Sequence, residues 1–265
     1  GFDSPWDRQN SMRKIAIIEK IHSDGLELLK KNQDYEYELI TDVSEDNLIK
    51  KLPKFDACTL RVSKLNENIL KHCPKLKVIS RHGVGFDNVD LNYIKKKNIS
   101  LLITATANAV AVAEHVIYMM ISISKSINQY DKEVRSGNFK KNASKIVTLE
   151  LFNKEILILG FGRIGKSLIK RCLGFDMKVK IFDPFVSEDI IKKFGGSKVE
   201  NLDDGLKTCD YLSLHVPLTE KTKNMLDYSK FKTMKNTAII INTSRGGIIN
   251  EIDLDRAINE KIIFG

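Results

Sequence analysis

The sequence contains no apolar run that approaches the length of a membrane-spanning helix, which excludes a simple transmembrane protein. It contains no C-x-x-C pair either, so we expect reduced thiols rather than a disulfide framework or a metal site, the four cysteines being Cys58, Cys73, Cys172 and Cys209. Residues 1–11 lack the basic and apolar segments of a signal peptide. These absences predict a cytoplasmic protein with no membrane partner and no bound metal.

Residues 1–11 do not resemble the start of a folded domain. We expect them to be a leader added for expression, with Met12 as the native start. We therefore exclude this segment from the fold prediction.

Positive charge dominates the sequence, since 43 lysines and arginines oppose 34 acidic residues and give a net charge of +9. The lysines are scattered, with only short separate runs at residues 95–97, 140–141 and 192–193. Such runs are typical of solvated helix faces, which we favour over the alternative of a nucleic-acid-binding patch. A basic field would also steer an anionic substrate or cofactor towards the protein.

A length of 265 residues is sufficient for two domains. Apolar strand patterns alternate with helical patterns along the chain, which predicts an α/β protein with parallel sheets. Strands are predicted at residues 14–18, 35–40, 57–60, 76–80, 99–103, 155–159, 178–182, 210–215 and 237–242. Helices are predicted at residues 24–31, 44–52, 66–72, 91–97, 166–173, 188–194, 228–234 and 251–259.

A long helix is predicted from Ala109 towards Gln129, after a linker at residues 104–108. This helix would carry the chain from a first domain, residues 12–107, to a second, residues 108–265. A further strand is predicted to begin at Ile262, where the sequence stops. We therefore expect the chain to be incomplete at the end of its second domain.

A glycine-rich turn lies between the predicted strand at residues 155–159 and the following helix. Gly160, Gly162 and Gly165 have the G-x-G-x-x-G spacing, and Asp183 follows at the end of the next strand. Gly160 allows a tight turn, Gly162 lets the backbone approach a pyrophosphate, and Gly165 lets the helix pack on the strand. Asp183 is placed to accept the adenosine ribose hydroxyls. The alternative is an ordinary turn, but strand, spacing and acid agree on a dinucleotide site.

A second group of polar residues follows the buried strand that ends at Asn242. Thr243, Ser244 and Arg245 come next, followed by two glycines. The carboxyl end of a strand in a doubly wound sheet is where ligands bind. An arginine there offers a planar fork to a carboxylate or polarises a carbonyl oxygen. The alternative, a surface arginine in a loop, is less favoured because of the glycines beside it.

Three further segments are uninformative alone, and gain meaning from their order along the chain. Taken with the two sites above, they resemble the D-isomer-specific 2-hydroxyacid dehydrogenase family from Met12 to Gly265, in the manner of 3-phosphoglycerate dehydrogenases. The five matching motifs are R-x-G-V-G-x-D-N-V-D at 81–90, N-x-x-x-V-A-E-H at 108–115, G-F-G-R-I-G at 160–165, H-V-P-L-T-x-x-T at 215–222 and N-T-S-R-G-G-I-I-N at 242–250.

The resemblance implies a flavodoxin-like substrate domain followed by a Rossmann domain that binds NAD. It implies cofactor contacts in addition to Gly160, Gly162, Gly165 and Asp183 at Arg163, Ile164, His215, Val216, Pro217, Thr222, Thr243, Ser244 and Val84. It implies substrate contacts at Arg61, Gly83, Val84, Gly85, Asn108 and Arg245. The long helix and the arm at residues 137–148 match the family's dimer-forming region, so a homodimer is expected.

The catalytic residue that the resemblance implies within this sequence is Arg245, which would bind the keto acid and polarise its carbonyl. The family's proton-donating histidine and its glutamate partner would lie beyond Gly265. The predicted reaction is reversible hydride transfer between NAD(H) and a small anionic 2-hydroxy or 2-keto acid, of the 3-phosphoglycerate, glyoxylate or hydroxypyruvate type. The alternative is an NAD(H)-sensing scaffold like the C-terminal binding protein co-repressors.

Overall fold

The computed structural model describes residues 12–265, so the expected leader at residues 1–11 lies outside the described residues. The chain divides into two compact units between Asn108 and Ala109. Each unit contains one parallel sheet with its own hydrophobic core. The predicted α/β class is confirmed.

The first unit alternates strands and helices as the sequence pattern predicts. Its elements are β1 (Arg13–Ile18), α1 (Ser23–Lys30), β2 (Tyr35–Ile40), α2 (Glu45–Lys51), β3 (Ala57–Leu60), α3 (Glu67–Leu70), β4 (Val78–Arg81), α4 (Leu91–Lys96) and β5 (Ser100–Ile103). A 3₁₀ turn at Leu52–Lys54 follows α2.

The first sheet has the strand order β2-β1-β3-β4-β5, and all its pairings are parallel. This is the flavodoxin-like order, in which the sequence of strands reverses direction between β1 and β3. The flavodoxin-like prediction is therefore confirmed.

Side-chain caps define two of the helix starts in this unit. Asn66 accepts a hydrogen bond from the Ile69 N–H at the start of α3, and Asp90 accepts one from the Tyr93 N–H at the start of α4.

The second unit begins with helices and continues as a second α/β alternation. Its elements are α5 (Ala109–Ser124), α6 (Ile127–Arg135), α7 (Phe139–Asn142), β6 (Glu155–Leu159), α8 (Arg163–Gly174), β7 (Lys178–Phe182), α9 (Glu188–Lys193), β8 (Ser197–Lys198), α10 (Leu202–Thr208), β9 (Tyr211–Leu214), α11 (Tyr228–Phe231), β10 (Ile239–Asn242) and α12 (Glu251–Asn259). A 3₁₀ turn at Ala143–Lys145 follows α7.

The second sheet has the order β10-β9-β6-β7-β8, again with parallel pairings throughout. Its central strand β6 is apolar because it is buried on both faces. Ile156 and Ile158 belong to the core on one side, and Leu157 and Leu159 belong to the core on the other. The strand order reverses between β6 and β9, as expected for a Rossmann sheet.

The predicted long helix is wrong in its extent. The chain instead bends by 60° between α5 and α6. Ser126 adopts a left-handed conformation (φ 49°) at this break, and its hydroxyl donates to the carbonyl of Val147 at 2.7 Å. Within residues 12–265 no single helix is long and apolar enough to cross a membrane, although α5 and α6 together pass that test by length and composition.

Other boundaries also differ from the prediction. Helix α8 begins three residues earlier than predicted, at Arg163, and α10 forms where no helix is predicted. No strand forms at Ile262, although the Phe264 N–H donates to the Ala238 carbonyl beside β10. Asn250 caps α12 as its position before Glu251 suggests, accepting a bond from the Asp253 N–H.

The four cysteines are buried as free thiols. Burial raises the pKa of Cys73 to about 11 and the pKa values of Cys172 and Cys209 to about 12. It raises the pKa of Cys58 further, with a smaller contribution from Cys73. These thiols therefore stay protonated and unreactive at neutral pH.

Candidate functional site

Residues that follow four different strands meet at one edge of the second sheet. Gly160, Asp183, His215 and Thr243 directly follow β6, β7, β9 and β10, respectively. The register pairs Leu159 with both Phe182 and Leu214, and Leu214 with Asn242. The four residues that follow these strands therefore lie side by side, across the β6–β9 position where ligands bind in such sheets.

The three glycines of the G-x-G-x-x-G motif differ in whether the fold itself requires glycine at their positions. Gly160 has φ +92°, and a Cβ there would lie 2.7 Å from the His215 carbonyl oxygen. A Cβ on Gly165 would lie 2.5 Å from the Gly160 carbonyl oxygen. A Cβ on Gly162 would meet no atom within 4 Å. Packing within the protein thus requires Gly160 and Gly165, whereas Gly162 leaves open space at the start of α8.

Helix α8 presents its N-terminus at this open space. Gly162 is its N-cap and provides no side-chain acceptor, so the first N–H groups, including those of Arg163 and Ile164, have no side-chain cap. The helix has 12 residues, and its dipole places partial positive charge at this end. The arrangement is suited to a phosphate group.

Asp183 is held beside the glycine turn by two backbone N–H groups. Its Oδ2 accepts from Phe161 at 2.8 Å and its Oδ1 accepts from Phe185 at 2.9 Å. Each carboxylate oxygen has further lone pairs, so these bonds orient the group without using up its acceptor capacity. The carboxylate can therefore also accept bonds from a ribose diol.

The loop after β9 is closed by its own threonines. The Thr222 hydroxyl donates to the Pro217 carbonyl at 2.6 Å and accepts from the Thr219 N–H at 2.8 Å. Val216 packs against the glycine turn, where a Cβ on Gly160 would lie 3.1 Å from its Cγ1. Thr222 thus shapes this loop, and its predicted contact with a cofactor stays a prediction, as do those of Val216 and Pro217.

His215 has an unusually low proton affinity. Burial lowers the pKa of its imidazole to about 4, and its Nε2 lies 2.9 Å from the Ser213 hydroxyl. Its Nδ1 is shielded from solvent and has no hydrogen-bond partner among residues 12–265. The ring is therefore neutral at physiological pH, which makes it unsuited to donate a proton during turnover.

Replacing His215 with Gln is expected to remove a pH-dependent part of the stability. A histidine in the unfolded chain takes up a proton as the pH falls below about 6.5, while folded His215, whose pKa is lowered by burial, stays neutral down to about pH 4. The contribution of His215 to the free energy of unfolding is therefore fully present above pH 6.5, and it falls as the pH is lowered. From about pH 7 to about pH 5, urea unfolding should show wild type losing about 2 kcal/mol more than the variant. If wild type and variant lose equal free energy of unfolding over this range, the pKa of His215 is not lowered in the folded protein.

The loop after β10 contains the predicted catalytic arginine. Arg245 is half-buried, and its Nη1 donates to the Ser244 carbonyl at 2.7 Å. A cleft of about 580 Å³ lies here, lined by Asn242, Thr243, Ser244, Arg245, Gly246, Ile249, Glu251 and Leu254. The Thr243 hydroxyl is shielded and lacks a hydrogen-bond partner among the described residues. Polar groups of this kind are suited to contact a ligand at the sheet edge.

The predicted substrate residues of the first unit follow β3 and β4. Arg61 is exposed, and its Nη1 donates to the Lys20 carbonyl at 3.2 Å. Gly83 has φ +142°, and a Cβ there would lie 1.4 Å from the Arg81 guanidinium. Val84 and Gly85 continue the same loop, whereas Asn108 ends this unit with its Oδ1 shielded from solvent.

Two side chains to which the sequence analysis assigned no role hold these first-unit loops. The Asn88 amide donates to the carbonyls of Arg61 (3.2 Å) and Ser63 (2.7 Å). Glu19 accepts from the N–H groups of Arg61, Val62 and Ser63. Burial alone would raise the pKa of Glu19, but these three N–H groups lower it below its ordinary value. Both residues act across the carboxyl edge of the first sheet.

A third residue to which the sequence analysis assigned no role is Asn242, whose side chain forms hydrogen bonds within the arginine loop. The available signal was its position, because an asparagine at the end of a strand favours side-chain bonds to the following turn. In residues 12–265 no group of three or more histidine, cysteine or acidic side chains is arranged to hold a metal ion.

The family described as "D-isomer specific 2-hydroxyacid dehydrogenase, NAD binding domain" matches residues 117–265. The chain belongs to the D-isomer-specific 2-hydroxyacid dehydrogenase family. It is 32% identical to D-3-phosphoglycerate dehydrogenase of Archaeoglobus fulgidus over 92% of this chain and 46% of that enzyme. It is also 32% identical to hydroxypyruvate reductase of Thermotoga maritima, over 95% of this chain and 79% of that protein.

Solved structures agree with this membership. D-lactate dehydrogenase from Aquifex aeolicus, solved with NAD and lactic acid, superposes with a TM-score of 0.81 and 30% identity, covering 95% of this chain and 75% of that one. The chain spans about half the length of the phosphoglycerate dehydrogenases that it matches. The second unit is thus the family's NAD-binding domain.

The residues present fit NAD. The open space at Gly162 and the uncapped start of α8 suit the pyrophosphate, and the oriented Asp183 carboxylate suits the adenosine ribose. The shielded hydroxyl of Thr243 has hydrogen-bonding capacity that a ligand at this edge can use. The predicted cofactor therefore agrees with both the family and the geometry.

Proposed function

We propose that the protein is an NAD-dependent D-2-hydroxyacid dehydrogenase that interconverts a small 2-hydroxy acid and its 2-keto acid. The observation that carries the proposal is the placement of Gly162, Asp183 and Arg245 after three strands of one parallel sheet. The substrates proposed are of the 3-phosphoglycerate, glyoxylate or hydroxypyruvate type, since relatives carry these enzyme names.

Each residue has a distinct task in this proposal. NAD(H), when bound, supplies or accepts the hydride. The start of α8 binds the pyrophosphate, and Asp183 orients the ribose. Arg245 binds the substrate through its planar guanidinium and stabilises negative charge that develops on the carbonyl oxygen. Val84 and the glycines beside it are proposed to line the substrate carboxylate.

The proposed assembly is a homodimer in the cytoplasm, with no nucleic-acid or membrane partner. Apolar side chains along α5, α6 and the arm at residues 137–148 support the dimer, because Tyr118, Val134 and Val147 are 58%, 59% and 67% exposed. The positive net charge favours an anionic substrate. The sensing-scaffold alternative is not favoured, since the relatives described above are named dehydrogenases and reductases.

Replacing Asp183 with Ala is expected to weaken NADH binding and to narrow the preference for NADH over NADPH. The wild-type carboxylate repels the 2′-phosphate of NADPH, which bears nearly two negative charges, and Pro184, Phe185 and Val186 provide no compensating arginine. Fluorescence titration should show wild type preferring NADH by about tenfold or more and the variant by much less.

The matched control is Asp189→Ala, which removes the same charge from the exposed start of α9. Its NADH and NADPH affinities should stay close to those of wild type. A wild-type preference for NADPH, or an equal change in both variants, would show that Asp183 does not select the cofactor.

A further inference from the structure

The arginine loop after β10 is organised by one side chain. Asn242 is the last residue of the strand, and its Oδ1 accepts from the Ser244 N–H at 3.0 Å and from the Ser244 hydroxyl at 2.7 Å. Its Nδ2 donates to the Arg245 carbonyl at 2.8 Å. All the partners of Asn242 in these contacts belong to Arg245 itself and to the residue before it.

The same contacts connect Asn242 to the guanidinium itself. The Ser244 N–H and hydroxyl donate to the Asn242 carboxamide, and the Ser244 carbonyl accepts from Arg245 Nη1 at 2.7 Å. A rotation of the 243–245 turn would therefore move the guanidinium with it. The carboxamide fixes the backbone at both ends of the Ser244–Arg245 segment, which limits such a rotation.

The far side of the loop is held separately. The Asn224 N–H donates to the Gly247 carbonyl at 2.8 Å, and Leu226 forms a parallel bridge with Ile249. These contacts fix Gly247 and the residues that follow it, and none of them involves residues 243–245. Gly246 therefore lies between the turn held by Asn242 and the part of the loop that begins at Gly247, whose φ is +78°.

We infer that Asn242 is a positioning residue for the reaction: its carboxamide sets the direction of the Arg245 guanidinium towards the substrate. This inference rests on the proposed function, in which Arg245 binds the substrate and stabilises developing charge. Asn242 also lines the cleft of about 580 Å³ beside Arg245 and a second cleft of about 590 Å³ with Thr243 and residues of α5. Its hydrogen bonds thus hold part of the lining of the cleft beside Arg245.

The test is a double-mutant cycle on the full-length protein, with NADH and glyoxylate or hydroxypyruvate as substrates. Asn242→Ala should lower kcat/KM about 10- to 100-fold, since a small misplacement of a catalytic group has an effect of this size. NADH affinity should change by less than about threefold, because Asn242 acts on the arginine rather than on the pyrophosphate site. In an Arg245→Ala background the same substitution should have an effect below about twofold.

Additional variants separate positioning from folding. Asn242→Asp retains the size of the side chain and an acceptor for Ser244, and it replaces Asn242→Ala in the cycle if that variant does not fold. Ser244→Ala removes one of the bonds to Asn242 and should have a smaller effect. Asn259→Ala breaks a comparable amide bond to Asp255 on exposed α12, and should leave kcat/KM unchanged.

Equal fold-losses from Asn242→Ala in the two backgrounds would overturn the inference, because a purely structural role is additive with the loss of Arg245. If Arg245→Ala itself leaves turnover intact, the proposed function of Arg245 fails, and the positioning role fails with it. The inference is supported if Asn242→Ala lowers kcat/KM only in the wild-type background and leaves NADH binding normal.

Discussion

Replacing Arg245 with Ala in the full-length protein is expected to lower kcat/KM for 2-keto acids by about 10²- to 10³-fold, as loss of a preorganised charge-stabilising donor does. Arg245 is half-buried at the carboxyl edge of the second sheet, where it lines a cleft of about 580 Å³. NADH affinity should change little, because the residues proposed to bind the pyrophosphate and the ribose follow β6 and β7 rather than β10. Steady-state kinetics and NADH titration measure the two quantities.

Arg245→Lys is the matched comparison for this prediction. It retains the positive charge but loses the planar fork that pairs with a carboxylate in two places. We expect its kcat/KM to fall between those of wild type and Arg245→Ala. Near-normal turnover by the alanine variant would remove Arg245 from the mechanism.

Gly162→Ala and Gly165→Ala are expected to impair different properties: Gly165→Ala lowers stability, whereas Gly162→Ala weakens cofactor binding. An added Cβ at position 165 would lie 2.5 Å from a backbone oxygen, so we expect a loss of about 3 kcal/mol in the free energy of unfolding. An added Cβ at position 162 meets nothing within 4 Å, so stability should change by less than about 1 kcal/mol.

The same methyl group at position 162 lies where a pyrophosphate must approach the helix start. NADH affinity should therefore fall about tenfold or more in the stable Gly162→Ala protein. Urea unfolding and NADH titration on both variants test the prediction together. A Gly162→Ala protein that binds NADH as tightly as wild type would show that the pyrophosphate does not lie at the start of α8.

The sequence predicts the parts of the fold that depend on local patterns. The apolar run of β6 and the glycines after it are local, and they lie where expected. The break after α5 was not predictable, because Ser126 donates to Val147, which is 21 residues away. The Leu149 N–H also donates to the Ser124 carbonyl, so contacts with a distant segment mark the bend.

The candidate site also combines features that local sequence predicts with features that depend on distant residues. The spacing of Gly160, Gly165 and Asp183 is visible in the sequence, but the reason for Gly160 is a carbonyl of His215 on another strand. The hydrogen bonds from residues 61–63 to the Glu19 carboxylate join positions more than 40 residues apart. Asn242 is different, because its partners are two and three residues away. Its role is recognised only from the geometry of the turn, which the amino-acid composition does not specify.

The most direct test of the proposed function is turnover and its stereochemistry. The full-length protein is supplied with NADH and, separately, glyoxylate, hydroxypyruvate and 3-phosphohydroxypyruvate; NADH consumption is followed, and the product of a prochiral keto acid is resolved by chiral chromatography. We predict that at least one keto acid is reduced and that its chiral product is the D-hydroxy acid alone. Formation of the L-hydroxy acid, or tight NADH binding without consumption by any of the three acids, would contradict this function.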